Sequence, residues 1–242
     1  MSERRHEDRL ARWAKQGKAG TPPVPAATVI LIRDGDSGLE TLMLRRNSKI
    51  AFGGMWVFPG GRVDPADQDP AAADDDLAAA RRAAVREAHE ESGLVLADDA
   101  LVAYSHWTPP PITPKRFLTW FFLALAPPGI VVVDGGEIHE HAWQRPADSL
   151  ARRDAGDIEL APPTWVTLYE LARHTSVEDA LRATRMREPE RFETHIAVEA
   201  NGPTAMWHGD AGWEASDASL AGGRHRLSMH SGGWRYERSQ ST

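Results

Sequence analysis

The chain has 242 residues, 41% of them hydrophobic, and not one cysteine. That length and apolar content suit one large core or a core with an appended piece, and the missing thiols exclude disulfide frameworks, zinc ribbons and thiolate nucleophiles. A net charge of −7 speaks against reliance on general attraction to nucleic acid or anionic lipid. The stretch MSERRHEDRLARWAKQ is charged throughout and lacks the apolar segment of a signal peptide. No run approaches the ~20 apolar residues of a membrane span. A soluble, cytoplasmic chain is expected, with neither nucleic acid nor membrane as partner.

Residues 1–25 form a polar lead-in with one short helix across Arg9–Lys15, ended by Gly20 and the prolines after it. The runs Ala26–Arg33 and Leu39–Arg45, joined by the turn cluster Asp34–Gly38, predict a hairpin. Met55–Phe58 is a short third strand closed by Pro59-Gly60-Gly61. Asp64–Asp76 reads as a loop whose last aspartates, Asp74 to Asp76, supply helix caps. Leu77–Ser92 is built of strong helix formers with an apolar stripe at Leu77, Ala80, Ala84 and Ala88, and Gly93 is its stop. Leu94–Val95 and Leu101–Trp107 resume apolar material, and strands are expected at Arg116–Ala126 and His139–Gln144, the last ending before Pro146. Helices follow at Thr164–His174 and Val177–Arg187, then short β-like runs at Thr194–Val198, Thr204–Trp207, Arg224–Met229 and Trp234–Glu237. This order predicts a layered α+β or α/β domain.

Chemistry concentrates in Arg86-Glu87-Ala88-His89-Glu90-Glu91-Ser92-Gly93-Leu94. On a helix, Glu87, Glu90 and Glu91 stand at i, i+3 and i+4 and share one face. Like charges so placed repel, and a cation relieves the repulsion. Oxygen-only ligands select hard ions such as Mg²⁺, Mn²⁺ or Ca²⁺. His89 points off this face and reads as a surface residue. The plainer alternative is a solvated acidic face. The preceding Phe-Pro-Gly-Gly turn counts against it, as does a chance frequency on the order of 10⁻³ for the letters Arg, Glu, Glu, Glu, Gly at this spacing.

The segment resembles the second half of the Nudix box, G-x5-E-x7-R-E-U-x-E-E-x-G-U, where U is bulky and apolar. Gly61 matches its first glycine, Ala88 its first U and Leu94 its last. The leading strands, Phe58-Pro59-Gly60-Gly61 and the later Glu137-x-x-Glu140-x-x-Trp143 agree, so the resemblance covers roughly residues 26–174. It implies an α+β fold, a Nudix-type α/β/α sandwich with mixed sheet over 26–187, followed by a β-rich C-terminal extension over 188–242. Two departures stand out. The box, 60–94, carries an insertion at about 62–76, since 24 residues separate Gly61 from Arg86 where the pattern has 13. The pattern's isolated Glu falls on Ala78, and Asp74–Asp76 are the candidates to replace it.

An interrupted box is similar to the Nudix branch of the peroxisomal coenzyme A diphosphatases. The Arg that this branch carries eight residues before the Phe is Ile50 here, while Gly54 matches. The resemblance implies a metal-dependent hydrolase acting on the diphosphate linkage of a small nucleoside diphosphate derivative: coenzyme A or acyl-CoA, ADP-ribose or a nucleotide sugar. Glu87, Glu91 and Glu90, with the Gly60 carbonyl, would hold Mg²⁺ or Mn²⁺, and Arg86 would orient the glutamates. The catalytic set is then Glu90, Glu91, Arg86 and a later base, Glu140 in preference to Glu137. Arg45, Arg46 and Arg116 are candidates for phosphate contacts. The aromatic residues Trp107, Phe117 and Trp120 read as core or as stacking partners for a base. The motif Trp207-His208-Gly209-Asp210 reads as a tight turn in preference to a catalytic His/Asp pair. The extension is expected to pack across the core or to form a homodimer contact. The alternative to the enzyme is a Nudix-fold binding or regulatory module without catalysis, at which Ala78 hints.

Overall fold

A computed structural model describes residues 6–47, 54–72, 75–133, 135–230 and 232–239. Ile50 and Asp74 lie outside them. The chain divides into two compact units, a larger one of residues 24–106 and 119–190 and a smaller one of residues 1–23, 107–118 and 191–242.

In the larger unit β1 (Val24–Gly35) and β2 (Gly38–Arg46) pair antiparallel with Gly35 opposite Gly38, so only Asp36 and Ser37 form the turn. The mixed sheet adds β3 (Trp56–Val57), β4 (Gly60–Arg62), β5 (Val102–Thr108), β6 (Phe117–Leu125) and β7 (Ile138–Gln144). Its order is β3-β2-β1-β6-β5, with β4 on β1 and β7 on β2. Helix α2 (Asp76–Ser92) begins at the Asp75 cap, whose side chain accepts the Ala78 N–H, and ends at Gly93 with φ 72°. The smaller unit supplies α1 (His6–Gln16).

Strand alternation explains the layering. Ala27, Val29 and Leu31 of β1 share one buried cluster with Leu42 and Leu44 of β2 and Ala80, Ala83, Ala84 and Ala88 of α2. Alanines let the helix approach the sheet closely. Ile30 and Ile32 point the other way and are also fully buried. The second face is therefore covered as well: α3 (Pro146–Ala155) packs on β2 and on α4 (Pro162–Leu171), and α5 (Val177–Arg185) packs on β1. Helix α3 is absent from the sequence reading, which took Pro146 only as the end of a strand. Proline at the first helical position is compatible with a helix, because its missing N–H would be unsatisfied there anyway.

The smaller unit is not a plain C-terminal tail. It draws in α1 and residues 107–118, and α1 packs on β9 (His195–Glu199) and β10 (Gly202–Met206). These strands continue antiparallel into β11 (His225–His230) and β12 (Gly233–Arg238). A further strand, β8 (Glu190–Glu193), brings Phe192 face to face with Trp107 at 3.8 Å between ring centroids. Trp207 meets both edge-on and donates its Nε1–H to Thr194 Oγ1 at 3.0 Å. The turn after Trp207 is structural, as the sequence suggested: Asp210 N–H donates to Trp207 O, and the Asp210 carboxylate holds Arg226 through two bonds of 2.7 and 2.6 Å. Among the described residues no helix is long and apolar enough to cross a membrane.

Candidate metal centre

The site forms where α2 crosses β4. Two glycines make the crossing, and neither is needed for its φ. A Cβ on Gly60 would lie 2.4 Å from Ala27 O, and one on Gly61 would lie 2.4 Å from the Glu87 carboxylate. Close approach requires glycine at Gly60, which meets the fixed backbone of β1, whereas at Gly61 the flexible end of the Glu87 side chain is what a Cβ would displace.

Glu91 continues the Ala80–Ala84–Ala88 row, one turn further along, so its carboxylate is carried into the interface with the sheet. It is 5% exposed and accepts the Gly60 N–H at 2.8 Å. Burial pushes its pKa up to about 8, against the opposing pull of that N–H and of Arg46. Burial also raises Glu87, with Arg86 opposing the rise and Glu90 and Glu137 adding to it. Glu90, on the outer side of the face, is exposed. His89 is exposed too and takes no part beyond its carbonyl, which accepts the Gly93 N–H.

Arg86 uses all five of its N–H donors. Nη1 donates to Glu87 Oε1 at 2.8 Å and to Glu90 Oε2 at 3.1 Å. Nη2 donates to Arg62 O and to Asp67 Oδ2, each at 2.9 Å, and Nε donates to Asp67 Oδ1 at 3.2 Å. Asp67 is absent from the sequence reading. Its signal was local: Asp64-Pro65-Ala66-Asp67 is a cap, a first-position proline and an acid at the third position, a short helical turn with a side chain turned back on its start. The aspartates predicted to compensate for Ala78 are placed otherwise: Asp75 caps the helix and Asp76 is exposed.

The phosphate candidates separate. Arg45 and Arg46 stand at the end of β2, beside a bulge in its pairing with β7. Arg45 is bonded to Glu140 at 3.0 Å and Arg46 to Glu137 at 2.5 Å. The charge of Glu137 reaches both Glu87 and Glu91. Arg116 belongs to the smaller unit, where its Nη2 donates to Pro109 O. Trp120 lies tilted against His106, with 4.4 Å between ring centroids.

Among the described residues no three carboxylate or imidazole groups converge on a single point, because Glu87 and Glu90 are drawn to Arg86 and Glu91 to Gly60. The donor chemistry nevertheless fits a hard divalent ion. It is oxygen only, its like charges share one face, and the buried Glu91 carboxylate has a neutral amide as its hydrogen-bond partner. Fold and site together define a domain that lays an acidic helix across a Gly-Gly strand.

The NUDIX domain family model matches residues 22–164, more than half of the chain, and the chain belongs to that family. A Caenorhabditis elegans protein carrying the name nudix hydrolase 7 is 30% identical over 178 residues, 58% of this chain and 57% of that protein. The chain thus spans little more than half the length of that curated relative. The crystal structure of a NUDIX hydrolase from Alicyclobacillus acidocaldarius aligns with a TM-score of 0.60 and 26% identity, over 67% of this chain and 96% of the other.

Proposed function

We propose that this chain is a metal-dependent pyrophosphohydrolase, cleaving the diphosphate linkage of a nucleoside diphosphate derivative. The observation that carries the reading is Glu91, a carboxylate buried at 5% exposure beside Glu87, with no cationic side chain bonded to it among the described residues. Its hydrogen-bond partner is the neutral Gly60 amide, which leaves a buried carboxylate without a counter-charge that a bound cation would supply. Glu87, Glu90 and Glu91 would hold Mg²⁺ or Mn²⁺, with Gly60 alongside. Such an ion supplies Lewis-acid chemistry to the diphosphate oxygens.

The chain's own residues do the rest. Arg86 holds Glu87 and Glu90 in place. Arg46 presents a buried Nε–H with no partner among the described residues and, with Arg45, offers donors to a phosphate. For the general base, Glu137 is the better choice over Glu140: each pairs with an arginine, Glu137 with Arg46 and Glu140 with Arg45, but the charge of Glu137 acts on both metal-side carboxylates. The long connection between β4 and α2, read as an insertion in the box, and the matching Gly54 put coenzyme A and acyl-CoA first among the substrates, ahead of ADP-ribose and nucleotide sugars. The absence of cysteine fits a reducing compartment, and we assign the protein to the cytoplasm.

Ala78, in place of the box glutamate, is the one observation favouring a non-catalytic binding module. A panel of coenzyme A, ADP-ribose and a nucleotide sugar, assayed with Mg²⁺, Mn²⁺ or a chelator, separates the two readings. The expected result is metal-dependent release of two phosphorylated products from at least one class. Binding without turnover across the panel would establish the module.

A further inference from the structure

The geometry points to an exchange at Arg46: its guanidinium holds Glu137 until a phosphate group of the substrate takes the same donor edge and releases Glu137 to act as base. The inference rests on the hydrolase reading above. A guanidinium grips a two-oxygen anion best on its side edge, where Nε–H and one Nη2–H run parallel. In Arg46 that edge is half used. Nη2 donates to Glu137 Oε2 at 2.5 Å, while the Nε–H is closed off from solvent and has no acceptor among the described residues. A buried donor left without an acceptor is costly to hold. Two oxygens of one phosphate would serve Nε and Nη2 together, and one of them would stand where Glu137 Oε2 stands now. The neighbouring pair, Arg45 and Glu140, is 45% and 48% exposed, so water can serve the remaining Arg45 donors.

The backbone around the pair is pinned, so the exchange needs side chains alone to move. The Arg46 N–H donates to Met55 O at 3.0 Å, and the Arg46 carbonyl accepts the Gly54 N–H at 2.9 Å. The Glu137 carbonyl accepts the Asn47 N–H at 2.7 Å, and Asn47 Nδ2 donates to the Gly136 carbonyl at 3.2 Å. The two side chains differ in freedom: that of Arg46 is 18% exposed and that of Glu137 59%. The carboxylate is therefore the member that swings. The charges of both Arg46 and Glu137 act on Glu91, which places the pair beside the metal-side face. While Oε2 accepts from Arg46 it is engaged, and once displaced it is open to accept a proton from water. Docking of the phosphate and release of the base are thus one event.

The test is the dissociation constant of methylenediphosphonate, a diphosphate analogue with an uncleavable P–C–P bridge. It is measured by calorimetry at saturating Mg²⁺ for the wild type, Glu137→Gln, Arg46→Gln and the Glu137→Gln/Arg46→Gln double variant. Glu137→Gln is expected to bind the analogue about 5-fold more tightly than the wild type, the upper end of what a partly exposed ion pair holds back. In the Arg46→Gln background the same change is expected to gain less than about 2-fold, because no competition for the guanidinium is left to remove. Tightening of equal size in both backgrounds reflects a lost negative charge alone; that result, or no tightening in either, overturns the exchange and leaves the hydrolase reading intact. A second measurement decides if Arg46→Gln does not fold. The Nε–H nuclear magnetic resonance signal of Arg46, assigned by its loss in Arg46→Lys, is expected to shift when the analogue saturates the wild type, and an unmoved signal overturns the exchange. A wild-type protein that binds no methylenediphosphonate in the presence of Mg²⁺ overturns both.

Discussion

Replacing Glu91 by glutamine is expected to lower kcat/KM for the metal-dependent reaction at least about 10³-fold, roughly 4 kcal/mol of transition-state stabilisation. The substitution keeps the shape and the acceptor for the Gly60 N–H and removes only the ionisable charge. That charge matters more than those of its neighbours because it acts in a desolvated place, where electrostatic interactions are strongest. The same variant carries a second signature in the metal-free protein. Burial holds the Glu91 pKa up to about 8 from its ordinary 4.5, so between those values the folded state binds a proton that the unfolded state has released. Stability therefore falls as pH rises through that window. Glu87, also raised, contributes in the same direction. Thermal unfolding with chelator across pH 5 to 9 should show this decline in the wild type and a flatter profile in Glu91→Gln. An equal slope in both would remove the basis for treating Glu91 as a strained, buried ligand.

The second large effect lies in the smaller unit. Replacing Asp210 by alanine is expected to cost about 3–5 kcal/mol, the range for breaking a buried ion pair. Its side chain has no exposed surface and that of Arg226 is 7% exposed. The carboxylate also accepts the N–H groups of Gly212 and His225. Removing it strips a buried guanidinium of its counter-charge, leaving it, among the described residues, only the Ala218 carbonyl, and takes the acceptor from two amides at once. Burial opposes ionisation of Asp210, but these bonds outweigh it and hold the pKa down to about 2 from 3.8. The folded pKa is the lower one, so the stabilisation is complete above about 3.8 and is lost as pH falls through about 2. Denaturant unfolding at neutral pH and acid unfolding of Asp210→Asn check both halves. A variant with wild-type stability and an unmoved acid midpoint would show the pair to be dispensable.

The parts of this molecule that were legible beforehand are those set by short-range spacing. The i, i+3, i+4 glutamates, the Asp75 cap and the Gly93 stop follow from the geometry of one helix. Even the burial of Glu91 was implicit, since it extends the row of Ala80, Ala84 and Ala88. That row was read only as far as Ala88, because a glutamate is ordinarily assigned to the surface. Asp67 was missed for a different reason. Its partner lies 19 residues away, and only the fold brings the turn of Pro65–Asp67 to the helix face. The smaller unit was obscured in the same way, its sheet at the C-terminal end receiving α1 from the opposite end of the chain. Helix α3 failed on local chemistry, Pro146 being read as a terminator where it is an initiator.

The central claim is that the face of Glu87 and Glu91 holds a divalent ion. Titration of the metal-free protein with Mn²⁺, followed by the electron paramagnetic resonance of the free ion, tests it most directly. The account predicts saturable binding in the wild type that is lost in a Glu87→Gln/Glu91→Gln variant retaining the wild-type circular dichroism spectrum. Binding of unchanged affinity in that variant would contradict it.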